Sequence, residues 1–282
     1  MSSHLRFQLP TDLRIPTLPA HVAELTRLID SPEAGVLDVS ALIKQDPALS
    51  MRVLRIANSS IYGLREPCLS IEQASTLLGL RLLRSLVVQA ALLQTYAHVE
   101  QSGFDLERIW RRSALVGQVA ACLARHSRSA LLPAPEEAYL IGLLCDIGQV
   151  LLLDNLGEEY LQLHVRAREH SLALHFVELR DLGTTHAAVG GLLATQWKLP
   201  EAVRTGIEGH HGRRASDLAQ APVYLIQRSG QITDRVLAQQ PVEAASALVP
   251  ELEARFGIEA HAVAEAIGLL EEDSRRAQGK AA

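Results

Sequence analysis

Aromatic residues are scarce in this 282-residue chain: Phe, Trp and Tyr make up only 4% of it, although 48% of its residues are hydrophobic. Leu and Ala dominate the apolar content, and both favour helices, whereas strands favour aromatic and β-branched side chains. The composition therefore predicts an all-α fold. It also leaves few rings on which nucleic-acid bases could stack.

The chain has no long block of basic residues and no long block of acidic residues. Lys and Arg number 27, Asp and Glu number 32, the net charge is −5, and no long basic block occurs. A nucleic-acid binder normally carries a basic patch that neutralises phosphates. We therefore expect no nucleic-acid partner.

Cysteine is also rare, and Cys68, Cys122 and Cys145 are too widely spaced for a disulfide framework or a CxxC metal knuckle. Reduced thiols in a cytoplasm are the simple interpretation. The N-terminus lacks the apolar core of a signal peptide. No uninterrupted apolar stretch is long enough to span a bilayer, and the nearest, 138–156, contains several polar residues. The sequence thus predicts a cytoplasmic protein without a membrane partner.

Apolar residues recur at helical spacing along most of the chain, and caps or breakers separate the runs. Asp46 before Pro47 is typical of a helix start, and Ser70 with Gln73 matches a capping box. The predicted helices are about 19–31, 38–45, 47–58, 70–79, 81–97, 104–125, 136–153, 158–170, 173–182, 185–197, 200–210, 216–238 and 261–272, followed by a frayed tail from 275.

Three places could carry chemistry: Asp146 within an apolar run, His186 at a helix start, and the pair His210-His211 at a helix end. A buried carboxylate needs a partner, which a metal, a histidine or backbone amides could each supply. Imidazole and carboxylate are common metal ligands. Each residue also has a purely structural interpretation: Asp146 as a hydrogen-bonding partner of a neighbouring helix, His186 as a cap, and the His pair as a complement to the helix dipole.

Cysteine nucleophile chemistry is not expected. Cys145 lies among Leu residues, where burial raises a thiol pKa and makes it inert. GxSxG, P-loop and HExxH motifs are missing. Gly142, Gly148 and Gly190-Gly191 lie inside helical patterns, where glycine costs about 1 kcal/mol relative to alanine, and this indicates close packing between helices.

Several separated motifs occur in an order that resembles the HDOD domain family over about residues 16–212. They are Leu18-Pro19, the run 43–50 (IKQDPALS), the run 53–59 (VLRIANS), the run 70–79, the run 109–113 (IWRRS), the run 142–148 (GLLCDIG), the run 182–190 (LGTTHAAVG), the run 197–200 (WKLP) and His210-His211. The chain after Gly212 matches less well.

HDOD domains are similar to the HD and HD-GYP phosphohydrolases, whose metals activate water against a phosphodiester. By this resemblance the HD pair falls at Cys145-Asp146, so that its aspartate is kept and its histidine lost. An earlier histidine falls near Arg112 and is also lost.

The later ligands of the family would be His186, His210 and His211. The last aspartate should lie near 227–228, but no carboxylate occurs between Asp217 and Asp234. A full two-metal centre is therefore not expected. A single divalent ion on Asp146, His186 and His210 or His211 stays open, although no cofactor is required.

The resemblance implies an N-terminal helical subdomain (16–99), an HD-like bundle (104–212) and a helical C-terminal extension (213–282). It also implies a non-catalytic regulatory or interaction module in bacterial signal transduction, with a link to cyclic-dinucleotide signalling. Protein partners are expected, and a homodimer is compatible with the sequence. The alternative is a metal-dependent phosphodiesterase with an altered ligand set.

We also expect a ligand pocket formed by Arg112, Cys145, Asp146 and His186. Because guanidinium groups suit phosphate, its ligand would be a small anion or a nucleotide.

Overall fold

The computed structural model describes residues 13–17, 19–29, 31, 33–58, 66–96, 105–212 and 220–279. All the regular structure in these ranges is helical, which confirms the predicted all-α class. The helices are α1 (Ala20–Ile29), α2 (Val36–Lys44), α3 (Pro47–Ala57), α4 (Ile71–Thr95), α5 (Leu106–His126), α6 (Pro135–Leu144), α7 (Ile147–Leu156), α8 (Glu158–Glu169), α9 (Leu174–Leu182), α10 (His186–Gln196), α11 (Glu201–Gly209), α12 (Ala221–Leu237), α13 (Val242–Ser246), α14 (Val249–Phe256) and α15 (Ala260–Gly279).

The helices α1–α4 enclose a small apolar core of their own, which includes Val22, Ile43 and Val53. The caps that start them follow the sequence closely. Asp46 Oδ1 accepts a hydrogen bond of 3.0 Å from the backbone N–H of Leu49, as an N-cap should.

The capping box predicted at the start of α4 forms only in part. Ser70 Oγ accepts from the Gln73 N–H at 3.1 Å, but the Gln73 side chain accepts from Leu69 N–H rather than from Ser70 N–H. Gly79, at φ 77° and ψ 161°, interrupts α4. The break predicted near residue 80 is therefore confirmed, and α4 consists of two helical segments that meet at Gly79.

A larger apolar core joins α5–α11 to the C-terminal helices. Val119 of α5, Leu225 of α12 and Ala262 of α15 all belong to it. The helix α15 therefore packs against α5. The predicted fraying from residue 275 is wrong as far as Gly279, where α15 ends. The short helices α13 and α14 were not predicted, because one or two turns carry little periodicity.

The helix predicted over 136–153 is wrong, because the chain breaks at Cys145-Asp146 into α6 and α7. Thirteen of the twenty residues of these helices are buried and none is exposed, so the apolar pattern has no polar face that would reveal the break. Residues 135–156 are long and apolar enough to cross a membrane, contrary to the sequence-based expectation, yet 83% of the most apolar part is buried inside the fold. That burial is what a core helix pair shows.

Glycines permit the tightest helix crossings, as predicted. A Cβ at Gly142 would lie 2.5 Å from the Gly117 Cα, where α6 meets α5. A Cβ at Gly148 would lie 1.9 Å from the carbonyl oxygen of His186, where α7 meets α10. Side chains at these positions would push the helices apart, so the glycines are what brings Asp146 close to α5 and α10.

Candidate functional site

Asp146 lies at the junction of α6 and α7 and is 3% exposed. Its Oδ2 accepts a hydrogen bond from Nη1 of Arg112 on α5. Its Oδ1 accepts from Gln149 Nε2 at 2.8 Å, and lies 3.5 Å from His186 Nε2 and 3.8 Å from His210 Nε2. The fold therefore brings residues from four helices around one buried carboxylate.

Arg112 is shared between two carboxylates. Its Nε and Nη2 donate to the two oxygens of Asp234 on α12, both at 2.8 Å. Burial alone would lower the pKa of Arg112, but Asp146 and Asp234 hold it well above its ordinary value. A permanent positive charge therefore faces Asp146. The sequence analysis did not identify Asp234 as a site residue, although it is the first Asp or Glu after Asp217.

His186 is the first residue of α10, but the cap there is Thr185, whose Oγ1 accepts from Ala188 N–H at 3.3 Å. The His186 ring instead lies 1% exposed against the carboxylate of Glu178. Its Nδ1 is 2.7 Å from Glu178 Oε2, and its backbone N–H donates to the same oxygen at 2.9 Å. A carboxylate can only accept, so Nδ1 carries a proton and Nε2 faces Asp146.

Glu178 is itself fully buried and accepts a hydrogen bond of 2.6 Å from Tyr160 Oη. This residue was also missed by sequence reasoning, although a charged residue on the buried face of α9 signals a specific partner. Burial alone would lower the pKa of His186, but the carboxylates of Glu178 and Asp146 raise it to about 9. Burial would raise the pKa of Asp146, but Arg112, His186 and His210 hold it well below its ordinary value.

His210 is oriented in the same manner by a backbone group. Its Nδ1 is 2.7 Å from the carbonyl oxygen of Ile207, which fixes a proton on Nδ1 and turns Nε2 toward Asp146. His211 is partly exposed, and its ring stacks on His175 at 4.3 Å. Burial and the neighbouring His210 and His186 lower the pKa of His211 to about 2, so its ring is neutral.

The donor set fits a single cation. One ligand atom each from Asp146, His186, His210 and His211 can be chosen so that all lie within 4.8 Å of one another. Metal bonds of about 2.0–2.2 Å in tetrahedral geometry place ligand atoms roughly 3.4 Å apart, close to the 3.5 and 3.8 Å from Asp146 to the two buried histidines. The Nε2 atoms of His186 and His210 are buried, make no hydrogen bond within normal limits and face Asp146 Oδ1, so each could coordinate a cation placed between them.

A second cation does not fit in the same way. A carboxylate that bridges two metals presents one oxygen to each, and Oδ2 of Asp146 already accepts from Arg112. That oxygen is therefore already engaged by the guanidinium group of Arg112.

Cys145 lies beside the site, and its thiol is 3.8 Å from Asp146 Oδ2. Its thiol donates to the Gly142 carbonyl at 3.0 Å, and burial raises its pKa well above the ordinary value. It was predicted in the ligand pocket, but it does not line the cavity that the other predicted pocket residues, Arg112, Asp146 and His186, border.

That cavity has a volume of about 870 Å³ and opens next to Asp146. Arg108, Arg112 and Arg168 contribute three guanidinium groups to its wall, against the carboxylates of Asp105, Asp146 and Glu158. Four imidazoles and several Leu side chains complete it: His164, His175, His186, His211, Leu161, Leu172 and Leu174. The size suits a nucleotide-sized molecule, and the guanidinium groups suit an anion.

An aspartate at a helix junction that faces histidines from two other helices defines an all-helical protein of the HD-like class. The family model for the HDOD domain matches residues 15–213, which is more than two thirds of the chain. The chain therefore belongs to the HDOD family, as its motifs indicated.

Individual relatives agree with this assignment. An uncharacterised protein of Treponema pallidum is 31% identical over 199 residues, which cover 70% of this chain but only 37% of that protein. A crystal structure of an HDOD domain protein of unknown function from Geobacter sulfurreducens is 26% identical, with a TM-score of 0.73 and coverage of 92% and 93%. A protein of Shewanella amazonensis, provisionally named a phosphohydrolase, is 25% identical, with a TM-score of 0.73 and coverage of 90% and 93%.

Proposed function

We propose that this protein is a non-catalytic regulatory module of bacterial signal transduction, whose cavity binds a small anionic ligand such as a nucleotide. The observation that carries the proposal is the ion pair between Arg112 and Asp146. Hydrolysis of a phosphodiester in this class of fold needs metal ions that activate water and neutralise the developing charge. A guanidinium that occupies one oxygen of the central carboxylate leaves an incomplete ligand set for that chemistry.

The ligand class is inferred from the cavity wall. Arg108 and Arg168 both line the cavity and provide the planar, charged donors that phosphate groups accept from. Cyclic dinucleotides belong to this ligand class. As parts of the same proposal, the protein acts in the cytoplasm, the response to the ligand passes to protein partners, and a second copy of the chain is one candidate partner.

A second function is favoured by one observation. The unpartnered Nε2 atoms of His186 and His210 converge on Asp146, and a single divalent metal ion would satisfy both of them. With such an ion the protein would be a phosphohydrolase with an altered ligand set. The role of Glu178 would then be to hold the His186 ring in position through Nδ1.

The two functions are separated by measuring metal content and turnover on the same sample. The full chain is purified without chelator, its metals are quantified, and hydrolysis of a chromogenic phosphodiester and of cyclic dinucleotides is followed. The regulatory proposal expects at most one metal ion per chain and no turnover above the buffer rate. Turnover that disappears in Asp146→Ala and survives in Asp154→Ala, a control on the same helix α7, would establish the enzyme instead.

Ligand binding is tested independently of turnover. Equilibrium binding of a cyclic dinucleotide and of a mononucleotide is measured for the full chain, for Arg168→Ala and for Arg204→Ala. Arg204 pairs with Glu201 and Glu208 on the surface of α11 and serves as the matched control. We expect Arg168→Ala to weaken binding by at least about tenfold, since charge-assisted hydrogen bonds contribute 1.5–3 kcal/mol or so. Equal affinities in the three proteins would contradict an anion site in the cavity.

A further inference from the structure

Four side chains with metal-binding chemistry meet where α15 packs against α5, among residues that the function above does not use. Cys122 and His126 lie four residues apart on α5, and His261 and Glu265 lie four residues apart on α15. Residues at this spacing share one face of a helix. Each helix therefore presents a pair of metal-binding side chains to the other.

The distances between these groups are short. The Cys122 thiol, a His126 ring nitrogen and a Glu265 carboxylate oxygen all lie within 4.8 Å of one another. His126 Nε2 is 2.8 Å from Glu265 Oε2, and its Nδ1 is 3.3 Å from His261 Nε2. One edge of the His126 ring thus faces Glu265, and the other edge contacts His261.

The Cys122 thiol is buried against α15 and donates a hydrogen bond of 3.7 Å to the carbonyl oxygen of Ala262. Cys122 is 1% exposed. Burial, with the Glu265 carboxylate adding to it, raises the pKa of Cys122 to about 12. Arg125 offers Glu265 only a long contact of 3.9 Å, and both of these side chains are largely exposed. A thiol, an imidazole and a carboxylate whose ligand atoms converge within 4.8 Å form a donor set that a zinc-type cation accepts.

We infer that Cys122, His126 and Glu265 form a binding site for a zinc-type divalent cation, separate from the site at Asp146. Sulfur, imidazole nitrogen and carboxylate oxygen together select zinc and its borderline neighbours over magnesium or calcium. On binding, the Cys122 thiol gives its proton to solvent and the thiolate coordinates the ion. His126 would bind the ion through Nε2, while its Nδ1 contacts Nε2 of His261. A metal-bound histidine usually makes a hydrogen bond through its other ring nitrogen in this way.

The site would join two parts of the chain. The helix α5 lies within the residues matched by the HDOD model, whereas α15 lies beyond residue 213. The same two helices are also connected by Arg111 and Asp273, at 2.7 Å. An ion at this position would therefore fasten the C-terminal helix to the helix that carries Arg112. Because the ion binds only the docked arrangement, it would stabilise the folded protein.

The spectroscopic test uses Co²⁺ as the probe. Metal-free full-length protein is titrated with Co²⁺, and the near-ultraviolet band that arises from charge transfer between thiolate and cobalt is recorded. The band should appear in the natural protein, be lost in Cys122→Ser, and remain in Cys145→Ser and Cys68→Ser, which make the same change at the other two buried thiols. Absence of the band in the natural protein overturns the inference. So does a band that depends on Cys145, because that result would place the ion at Asp146.

A second test does not alter the buried cysteine. Addition of Zn²⁺ should raise the Tm of the metal-free protein, and the rise should be smaller in His126→Gln and in Glu265→Gln. Glu271→Gln, on an exposed position of the same helix α15, is the matched control and should behave as the natural protein does. We expect Zn²⁺ affinity to fall at least about tenfold in the two site variants. Equal Tm shifts in Glu265→Gln and Glu271→Gln would overturn the inference even if zinc also binds at Asp146.

Discussion

Arg112 donates from Nη1 to one carboxylate oxygen of Asp146. Its Nε and Nη2 donate to the two carboxylate oxygens of Asp234. Asp146 is buried and Asp234 is exposed. Arg112 pairs with both carboxylates and lines the cavity. Arg112 is thus the counter-ion of the central carboxylate. The charge at the site is permanent, because no accessible pH removes the guanidinium proton.

Loss of this counter-ion should destabilise the fold. In Arg112→Met the Asp146 carboxylate stays buried without its main cation, and we expect the free energy of unfolding to fall by about 2–3 kcal/mol, less than for a fully buried pair because Arg112 is partly exposed. The neighbouring Arg111→Met removes only a largely exposed pair with Asp273 and should cost less than about 1 kcal/mol. Urea unfolding at pH 7 measures both, and equal losses would contradict a special role for Arg112.

Replacement of the arginine by a metal ligand should change the metal content of the site. Arg112→His removes the positive charge next to Asp146 and adds an imidazole, so we expect divalent-metal affinity to rise at least about tenfold. Adding Cys145→His should allow a second ion per chain. Calorimetric titration with Mn²⁺ and elemental analysis are the measurements. Unchanged affinity in Arg112→His would show that the guanidinium does not limit metal binding, and the single variant decides the point if the double variant does not fold.

The crossing of α7 and α10 should not tolerate a methyl group. In Gly148→Ala the new Cβ would lie 1.9 Å from the His186 carbonyl oxygen and would force the two helices apart. We expect a loss of about 3 kcal/mol in the free energy of unfolding, together with weaker metal binding at Asp146. In contrast, Gly268→Ala on α15 has nothing within 4 Å of its Cβ and should stabilise the protein by about 0.5–1 kcal/mol. Thermal unfolding of both variants checks the pair, and similar effects would show that the crossing can adjust.

Acid should weaken the fold through His164, whose ring contacts Tyr160 edge to face at 4.9 Å. Burial lowers the pKa of His164 to about 4, and Glu178 only partly opposes this effect, while His186 adds to it. In the unfolded chain His164 has an ordinary histidine pKa near 6.5. Between about pH 6.5 and pH 4, His164 is therefore protonated in the unfolded chain but neutral in the folded chain. Stability from this residue is present above about pH 6.5 and is lost as the pH falls toward 4.

The measurement compares urea unfolding at pH 7 and pH 5. His164→Gln should lose about 1 kcal/mol less than the natural protein between these two values, after allowance for the partial exposure of the ring. Asp146 and Glu178 also destabilise the fold in acid, but they are present in both proteins and titrate at lower pH, since their pKa values are lowered. An identical pH dependence in the two proteins would show that His164 does not titrate differently on folding.

The amino-acid sequence determined the helical class and the position of most helices. Caps and breakers act over one or two turns, so Asp46, Ser70 and Gly79 could be interpreted without knowledge of the rest of the chain. The order of motifs identified the family, and the resemblance singled out Asp146 and the three histidines that the structure brings together.

The break between α6 and α7, in contrast, was decided by tertiary packing. No residue of either helix is exposed, and a uniformly apolar pattern does not mark the two residues at which the helix is interrupted. The pairing of Arg112 with Asp234, 122 residues away, and the contact of His126 with Glu265, 139 residues away, depend on which helices cross and at what distance. Such partners are determined by the packing of α12 and α15 against α5, and a local sequence pattern does not indicate which helices will be neighbours.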